Sequence, residues 1–169
     1  MITIKLGDIT KEAVDVIVNA ANTGLRGGGG VDGAIHRAAG PTVIKECRKI
    51  GGCPTGEAVA TGAGNLKVKK IIHTAGPVWQ GGNHDEAKLL VHCYENSFLT
   101  AKKLGLKTIA FPAISTGVYG YPIEEATKIA LSVSKKFEKD FQEIRHICFS
   151  QRDLEVYQRI WKEISSRLA

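Results

Sequence analysis

Residues 18–36 read Val-Asn-Ala-Ala-Asn-Thr-Gly-Leu-Arg-Gly-Gly-Gly-Gly-Val-Asp-Gly-Ala-Ile-His. A short apolar strand, Val16 to Val18, runs into two asparagines, then four consecutive glycines, then an acid. Glycine loses more backbone entropy on ordering than any other residue, so four in a row are poor material for a core. Their usefulness lies in close approach. Without a Cβ, their N–H groups can point into one concavity and hold phosphate oxygens. Asp32 and Gly33 lead into a helix-like stretch, Ala34 to Ala39, whose N-terminus adds positive potential. The segment reads as an anion cradle with Asn19, Asn22 and Asp32 at its rim. The alternative is a flexible linker, but the tract is wedged between strand and helix rather than set in Ser-rich, low-complexity sequence. No Gly-Lys-Ser/Thr follows, so this is not a P-loop, and the asparagines and the acid are foreign to a dinucleotide fingerprint.

The chain alternates strand-like and helix-like segments throughout, with no repeat, linker or low-complexity region. Strands are expected at Thr3–Leu6, Val16–Asn19, Ala58–Thr61, Lys70–Thr74, Thr108–Phe111 and His146–Phe149. Helical spacing places Ala87, Leu90, Val91, Tyr94, Phe98 and Ala101 on one face, with Gly105 as terminator. Ala126, Ile129, Ala130, Val133 and Phe137 form a second face behind Pro122 as first helical residue. Val156, Tyr157, Ile160, Trp161 and Ile164 form a third, with Asp153 as N-cap. Shorter helices are expected at Thr10–Val14 and at Gly33–Ile50, the latter interrupted at Gly40-Pro41. Such alternation predicts an α/β protein with a mostly parallel sheet between two helical layers. In these sheets the ligand crevice lies beyond the carboxyl ends of the strands.

That rule selects the loops. The glycine tract follows the second strand. The stretch Pro112-Ala-Ile-Ser-Thr-Gly-Val-Tyr-Gly-Tyr-Pro122 follows the fifth, and its small residues expose backbone N–H groups near a helix start. Two such loops can clamp a diphosphate from both sides. Tyr119 offers a flat face or a hydroxyl beside the ligand, or is an ordinary capping aromatic. Asp8 is either a ligand-binding acid or a plain turn acid before Thr10. His36 reads as structural rather than catalytic and His73 as a satisfied core or edge residue. Trp79 and Trp161 read as packing, and His84, His92 and His146 carry no signal.

Composition sets the outer limits. The chain has 169 residues, 43% hydrophobic and 24% charged, which suits one soluble domain over 1–169. No apolar run approaches the about 20 residues of a membrane span, and no signal peptide is expected before the first strand. The four cysteines show neither CxxC nor His-pair spacing. A reduced cytoplasmic setting is the simplest reading, with a disulfide or zinc as the alternatives. The net charge of +6 permits an acidic partner without naming one. The lysines lack the aromatic interleaving of a base-stacking surface, so no dedicated nucleic-acid site is expected.

The quoted segments, taken in order, resemble the macrodomain family, and within it the MacroD-like O-acetyl-ADP-ribose deacetylase branch. The carrying stretches are Gly7-Asp-Ile-Thr10, Val16-Ile-Val-Asn-Ala-Ala-Asn22, Gly27-Gly-Gly-Gly-Val-Asp-Gly-Ala-Ile-His36, Cys53-Pro-Thr-Gly-Glu-Ala58, Ile72-His-Thr-Ala-Gly-Pro-Val-Trp79 and Phe111-Pro-Ala-Ile-Ser-Thr-Gly-Val-Tyr-Gly-Tyr-Pro122. The resemblance implies a three-layer α/β/α fold, a mixed sheet of about six strands and one ADP-ribose cleft. It gives Asp8, with Ile9 beside it, to the adenine amino group and Phe149 to the adenine face. Asn19 and Ala21 are ligand-binding, and the Gly28, Gly29, Gly30 and Val31 backbone holds the diphosphate from one side. Ser115, Thr116, Gly117, Val118 and Tyr119 hold the diphosphate. Asn22 faces the distal ribose, and Asp32 is the catalytic acid that many binding-only members lack. The implied partners are ADP-ribose, its O-acyl esters and mono-ADP-ribosylated proteins, with no membrane partner, no cofactor and no metal. The implied reaction is ester hydrolysis without a covalent acyl-enzyme. Asp32 or a substrate phosphate serves as base. A module that only binds ADP-ribose is the alternative.

Overall fold

The second strand shows why the chain layers as it does. In Val16–Ala21 (β2), successive side chains point to opposite faces, so Val16 and Val18 enter one core and Ile17 and Ala21 the other. A strand apolar on both faces must be covered on both. Its neighbours repeat the pattern: Ile72 and Ile71 of Lys70–Ala75 (β4), and Ile109 and Ala110 of Thr108–Phe111 (β5), divide between the same two cores. The computed structural model describes residues 1–167, so the last two residues of the domain expected over 1–169, Leu168 and Ala169, lie outside the described residues.

Six strands form one mixed sheet in the order β1-β6-β5-β2-β4-β3, where β1 is Ile2–Leu6, β3 is Ala58–Thr61 and β6 is Glu143–Cys148. All pairings are parallel except β3 with β4. Helices Gly30–Ala39 (α1) and Pro41–Ile50 (α2) bury Ile35, Ala39, Val43 and Cys47 on one face. Helices Glu86–Lys103 (α3), Ile123–Phe137 (α4) and Gln151–Arg167 (α5) cover the other with Leu90, Tyr94, Phe98, Ala130 and Tyr157. The three-layer α/β/α expectation is met, and the parallel strands send their carboxyl ends to one edge.

Several element boundaries differ from the sequence expectation, each for a local reason. The helix expected at Thr10–Val14 is a single 3-10 turn, Ile9–Lys11, capped by Asp8. Glu12, which ends it, is buried and holds Lys5 and Arg145, each at 3.1 Å, so the chain extends there towards β2. The helix expected from Gly33 starts at Gly30, which places Asp32 in its first turn. The break at Gly40 stands where expected, with φ at 83°. Pro122 is the N-cap of α4 rather than its first residue. Asp153 lies inside the first turn of α5, and its N–H donates to Ser150 Oγ at 3.2 Å. The last strand runs over Glu143–Cys148, so Phe149 stands just beyond it. His146 is buried in the core with Nε2 2.8 Å from Ser134 Oγ.

Candidate ligand-binding and catalytic site

The sheet order fixes the order of the loops along the edge. Asp8 follows β1, Phe149 follows β6, the 112–121 loop follows β5 and Asn22 follows β2. Adjacent strands lie about 4.8 Å apart, so β1 to β2 spans about 14 Å. The predicted site residues therefore form a line rather than a cluster. Asp8 and Phe149 stand at one end, joined through Gly7 N–H donating to Cys148 O at 3.1 Å. Asn22 and Asp32 stand at the other.

At the first end, Asp8 is exposed, and its Oδ1 accepts from Thr10 Oγ1 at 2.7 Å and Thr10 N–H at 3.0 Å. These bonds, led by the hydroxyl, lower its pKa below the ordinary carboxylate value. Ile9 buries its side chain in the core, so only its main chain can face a ligand. Phe149 is 94% exposed, an unpaired aromatic face at the strand end.

In the middle, the 112–121 loop is closed by its own backbone. Gly120 N–H donates to Gly117 O at 2.9 Å and Tyr121 N–H to Ser115 O at 2.9 Å. Thr116 Oγ1 donates to Ala113 O at 3.0 Å, and Trp79 N–H donates to Tyr119 O at 2.8 Å. Ser115 has φ of 68°, strained for a residue with a Cβ, and its buried Oγ has no partner. Gly117 and Val118 are exposed, Tyr119 is half-buried, and nothing stands within 4 Å of a Cβ placed on Gly117. Gly76 is a position the sequence reading missed. A Cβ there would lie 2.2 Å from Ser115 Oγ, so only glycine lets this loop seat against the end of β4. The signal was present in Ala75-Gly76-Pro77, a small residue directly after a strand.

At the far end, Asn22 braces the glycine loop: its Nδ2 donates to Gly27 O at 2.8 Å, and its Oδ1 accepts from Arg26 N–H at 3.0 Å. Gly28, Gly29 and Gly30 are exposed and Val31 is half-buried. A Cβ on Gly28 would stand 3.3 Å from Asp32 Oδ2 and 3.8 Å from Asn22 Nδ2, so cradle, amide and acid are immediate neighbours. A Cβ on Gly29 or Gly30 would meet nothing, which leaves that face open to a ligand. Asp32 is buried, with Oδ1 2.8 Å from Asn19 Nδ2 and 3.3 Å from His36 Nε2. His36, read from sequence as structural, thus touches the acid. Its i+4 spacing from Asp32 was the available signal.

Ala21 ends β2 and is buried. Asn19, placed at the rim in the sequence reading, is corrected to a fully buried position. Strand alternation turns it to the same face as Ile17 and Ala21, beneath α1, where it reaches Asp32 from behind.

One group among the described residues gathers metal-ligand atoms: His36, Cys47 and His73, mutually within 4.8 Å. Both ring nitrogens of His73 already have partners, Asn19 Nδ2 at 3.0 Å and Thr61 Oγ1 at 2.9 Å. Burial, with Asp32 nearby, pushes the Cys47 thiol up to about 11. A thiolate ligand there would require the metal to overcome that penalty. All four cysteines are buried and unpaired.

A line of small-residue loops at the carboxyl edge of a parallel sheet, ending in a buried acid, stands where α/β sheets of this kind take their ligands. The Macro domain family matches residues 18–130, and the chain belongs to that family. A macro domain-containing protein of Chlorobaculum tepidum is 56% identical over 155 residues, covering 90% of each chain. A protein of Escherichia fergusonii named O-acetyl-ADP-ribose deacetylase is 52% identical over 161 residues, covering 91% of each. Among solved structures, an Oceanobacillus iheyensis macrodomain variant with ADP-ribose superposes at a TM-score of 0.92 with 44% identity, covering 96% of this chain and 92% of that one. The Trypanosoma brucei macrodomain in complex with ADP-ribose gives 0.88 with 41% identity, covering 94% and 68%.

Proposed function

We propose that the protein binds ADP-ribose along the loop line and hydrolyses its esters, deacetylating O-acetyl-ADP-ribose and removing mono-ADP-ribose from acidic protein side chains. The observation that carries this is the position of Asp32. It is buried in the first turn of α1, beside Gly28 and Asn22. A carboxylate repels a diphosphate aimed straight at it, so it is a poor choice for a pure anion holder. It is well placed to hold a water near the ribose beyond the diphosphate. The name of the Escherichia fergusonii relative and the ADP-ribose held by the Oceanobacillus iheyensis neighbour support the same reading.

In this reading adenine lies between Asp8 and Phe149, the diphosphate between the two loops, and the ester-bearing ribose at Asn22. Water held by Asp32 attacks the ester carbonyl. The bond from carbonyl carbon to ribose oxygen breaks, and the water proton passes by way of Asp32 to that oxygen, giving acetate and ADP-ribose. Glycine N–H groups steady the negative charge that develops. No metal takes part. The chain acts as one domain in the cytoplasm; no helix among the described residues is long and apolar enough to cross a membrane.

The test is single-turnover acetate release from O-acetyl-ADP-ribose beside calorimetric titration with ADP-ribose. Binding together with release is expected. Binding without release from any ester substrate overturns the hydrolase reading and leaves a module that only binds.

A further inference from the structure

His73 is a fully buried titratable group that the mechanism leaves unused. His73 lies on β4 as the register partner of Asn19 on β2, so both side chains face α1. Its Nδ1 is 3.0 Å from Asn19 Nδ2. An amide nitrogen only donates, so Nδ1 carries the lone pair and Nε2 the proton. That proton goes to Thr61 Oγ1 at 2.9 Å, and the Thr61 hydroxyl donates onward to Gly62 O at 2.9 Å. The other Asn19 N–H donates to Asp32 Oδ1 at 2.8 Å. Every proton in this chain has one direction. Turning the amide over would set its oxygen 2.8 Å from an Asp32 oxygen, so the Asp32 contact fixes the amide and the amide fixes the His73 tautomer.

We propose that His73 is a positioning residue for Asp32, acting through the Asn19 amide. The proposal rests on the hydrolase reading of Asp32 and adds to it the part that aims the acid. Packing alone would be met by an apolar side chain of similar size. What the imidazole adds is an acceptor that holds the amide with its N–H towards Asp32. Burial, and then the neighbouring His36, hold the His73 pKa down to about 4, so the acceptor persists at neutral pH. Without it, the Asn19 amide loses the contact that orients it, and Asp32 is left with His36 alone beside its Oδ1.

Three variants test this: His73→Leu, His73→Asn and Asn19→Ala, each measured for thermal unfolding, ADP-ribose affinity and single-turnover acetate release. His73→Leu should lower the rate about 10- to 100-fold, as misplacement of a reacting group does, and leave ADP-ribose affinity within about twofold. His73→Asn, whose side-chain oxygen replaces Nδ1 as acceptor, should recover most of the rate. Adding His73→Leu to Asn19→Ala should cause no further loss, because the first residue acts only through the second. By NMR, the Asn19 side-chain amide protons should resist exchange in the wild type and in His73→Asn, and lose that protection in His73→Leu. A wild-type rate in His73→Leu, an additive double variant, or a His73→Asn variant no better than His73→Leu overturns the proposal. If His73→Leu does not fold, the His73→Asn rate and the amide exchange decide. A wild-type protein that releases no acetate sinks the hydrolase reading instead, and the role given to His73 with it.

Discussion

Two loops leave adjacent parallel strands at the same edge, β2 and β5, and they are built by opposite means. The glycine loop after β2 has little internal hydrogen bonding of its own. It is braced by the Asn22 side chain and underlain by Asn19, Asp32 and His73. The loop after β5 is closed by its backbone, with the strained Ser115 at its base and Val118 fully exposed at its tip. Both stand at the same sheet edge, but only the first has a carboxylate and a polar network beneath it. In the proposed function that difference separates grip from chemistry. Damage to the second loop should weaken binding, whereas damage beneath the first should slow turnover and spare binding.

The sharpest break of that comparison is Asp32→Ala. General-base assistance contributes about 10²–10⁴-fold, so acetate release should fall by that order. ADP-ribose affinity should stay equal or rise slightly, because a carboxylate near the diphosphate is gone. Single-turnover rates set beside calorimetry check both halves. Equal losses in rate and affinity would place Asp32 in the grip and erase the distinction between the loops.

Acid probes the layers under both loops. His73 lies beneath the glycine loop and His146 beneath the other, stacked on Phe111 at 5.6 Å between ring centroids. Burial lowers His146 from 6.5 to about 3, and burial with the His36 neighbour lowers His73 from 6.5 to about 4. Both are neutral in the fold, while the unfolded chain takes up protons below pH 6.5. Protons therefore favour unfolding. The stability is whole above pH 6.5 and is lost as pH falls towards 4 for His73 and towards 3 for His146. The His73 share is about 3 kcal/mol on a scale of 1.36 kcal/mol per unit. Denaturant midpoints followed from pH 7 to pH 4 should fall, and should fall less in a folded His73→Asn variant. A flat profile in the wild type would mean that neither histidine is held neutral.

The adenine end belongs to neither loop, which makes Asp8→Ala the control. A lost hydrogen bond to a charged group is worth about 1.5–3 kcal/mol, so ADP-ribose should bind roughly 10- to 100-fold more weakly. Unchanged affinity by calorimetry would remove Asp8 from the site and leave it as the cap of the 3-10 turn that it also is.

The strand ends and their loops were legible because glycines and small residues after apolar strands are written locally. The sheet order was not, since it depends on which strands pair across the whole chain. Asn19 shows the gap. Its alternation with Val18 is in the sequence, but that it lies under a helix and meets Asp32 follows only once α1 is laid on the sheet. His73 was readable as a satisfied core residue. That it satisfies Asn19 depends on the β2–β4 register. Ser115 strain and the need for glycine at Gly76 arise from one close approach between two loops, which no single stretch encodes.

The smallest effect tests whether the glycine tract is kept for the ligand or for the fold. Gly29→Ala should leave stability nearly unchanged. Gly29 has φ of −92°, ordinary for any residue, and a Cβ there meets nothing within 4 Å. Replacing glycine restrains the unfolded chain and stabilises by about 0.4–1 kcal/mol. Gly29 is also the N-cap of α1, where glycine is preferred over alanine, and that term opposes the first by a similar amount. Gly33→Ala is the counterpart. Its Cβ would stand 2.5 Å from Gly28 O, so strand-to-helix packing must shift at about 1–3 kcal/mol. ADP-ribose affinity should fall in Gly29→Ala despite its unchanged denaturation midpoint, because the only space the new methyl group enters is the open face of the cradle. A Gly29→Ala protein that is stable and binds as tightly as the wild type would show that the ligand does not approach there, and the grip would then rest on the loop after β5 alone.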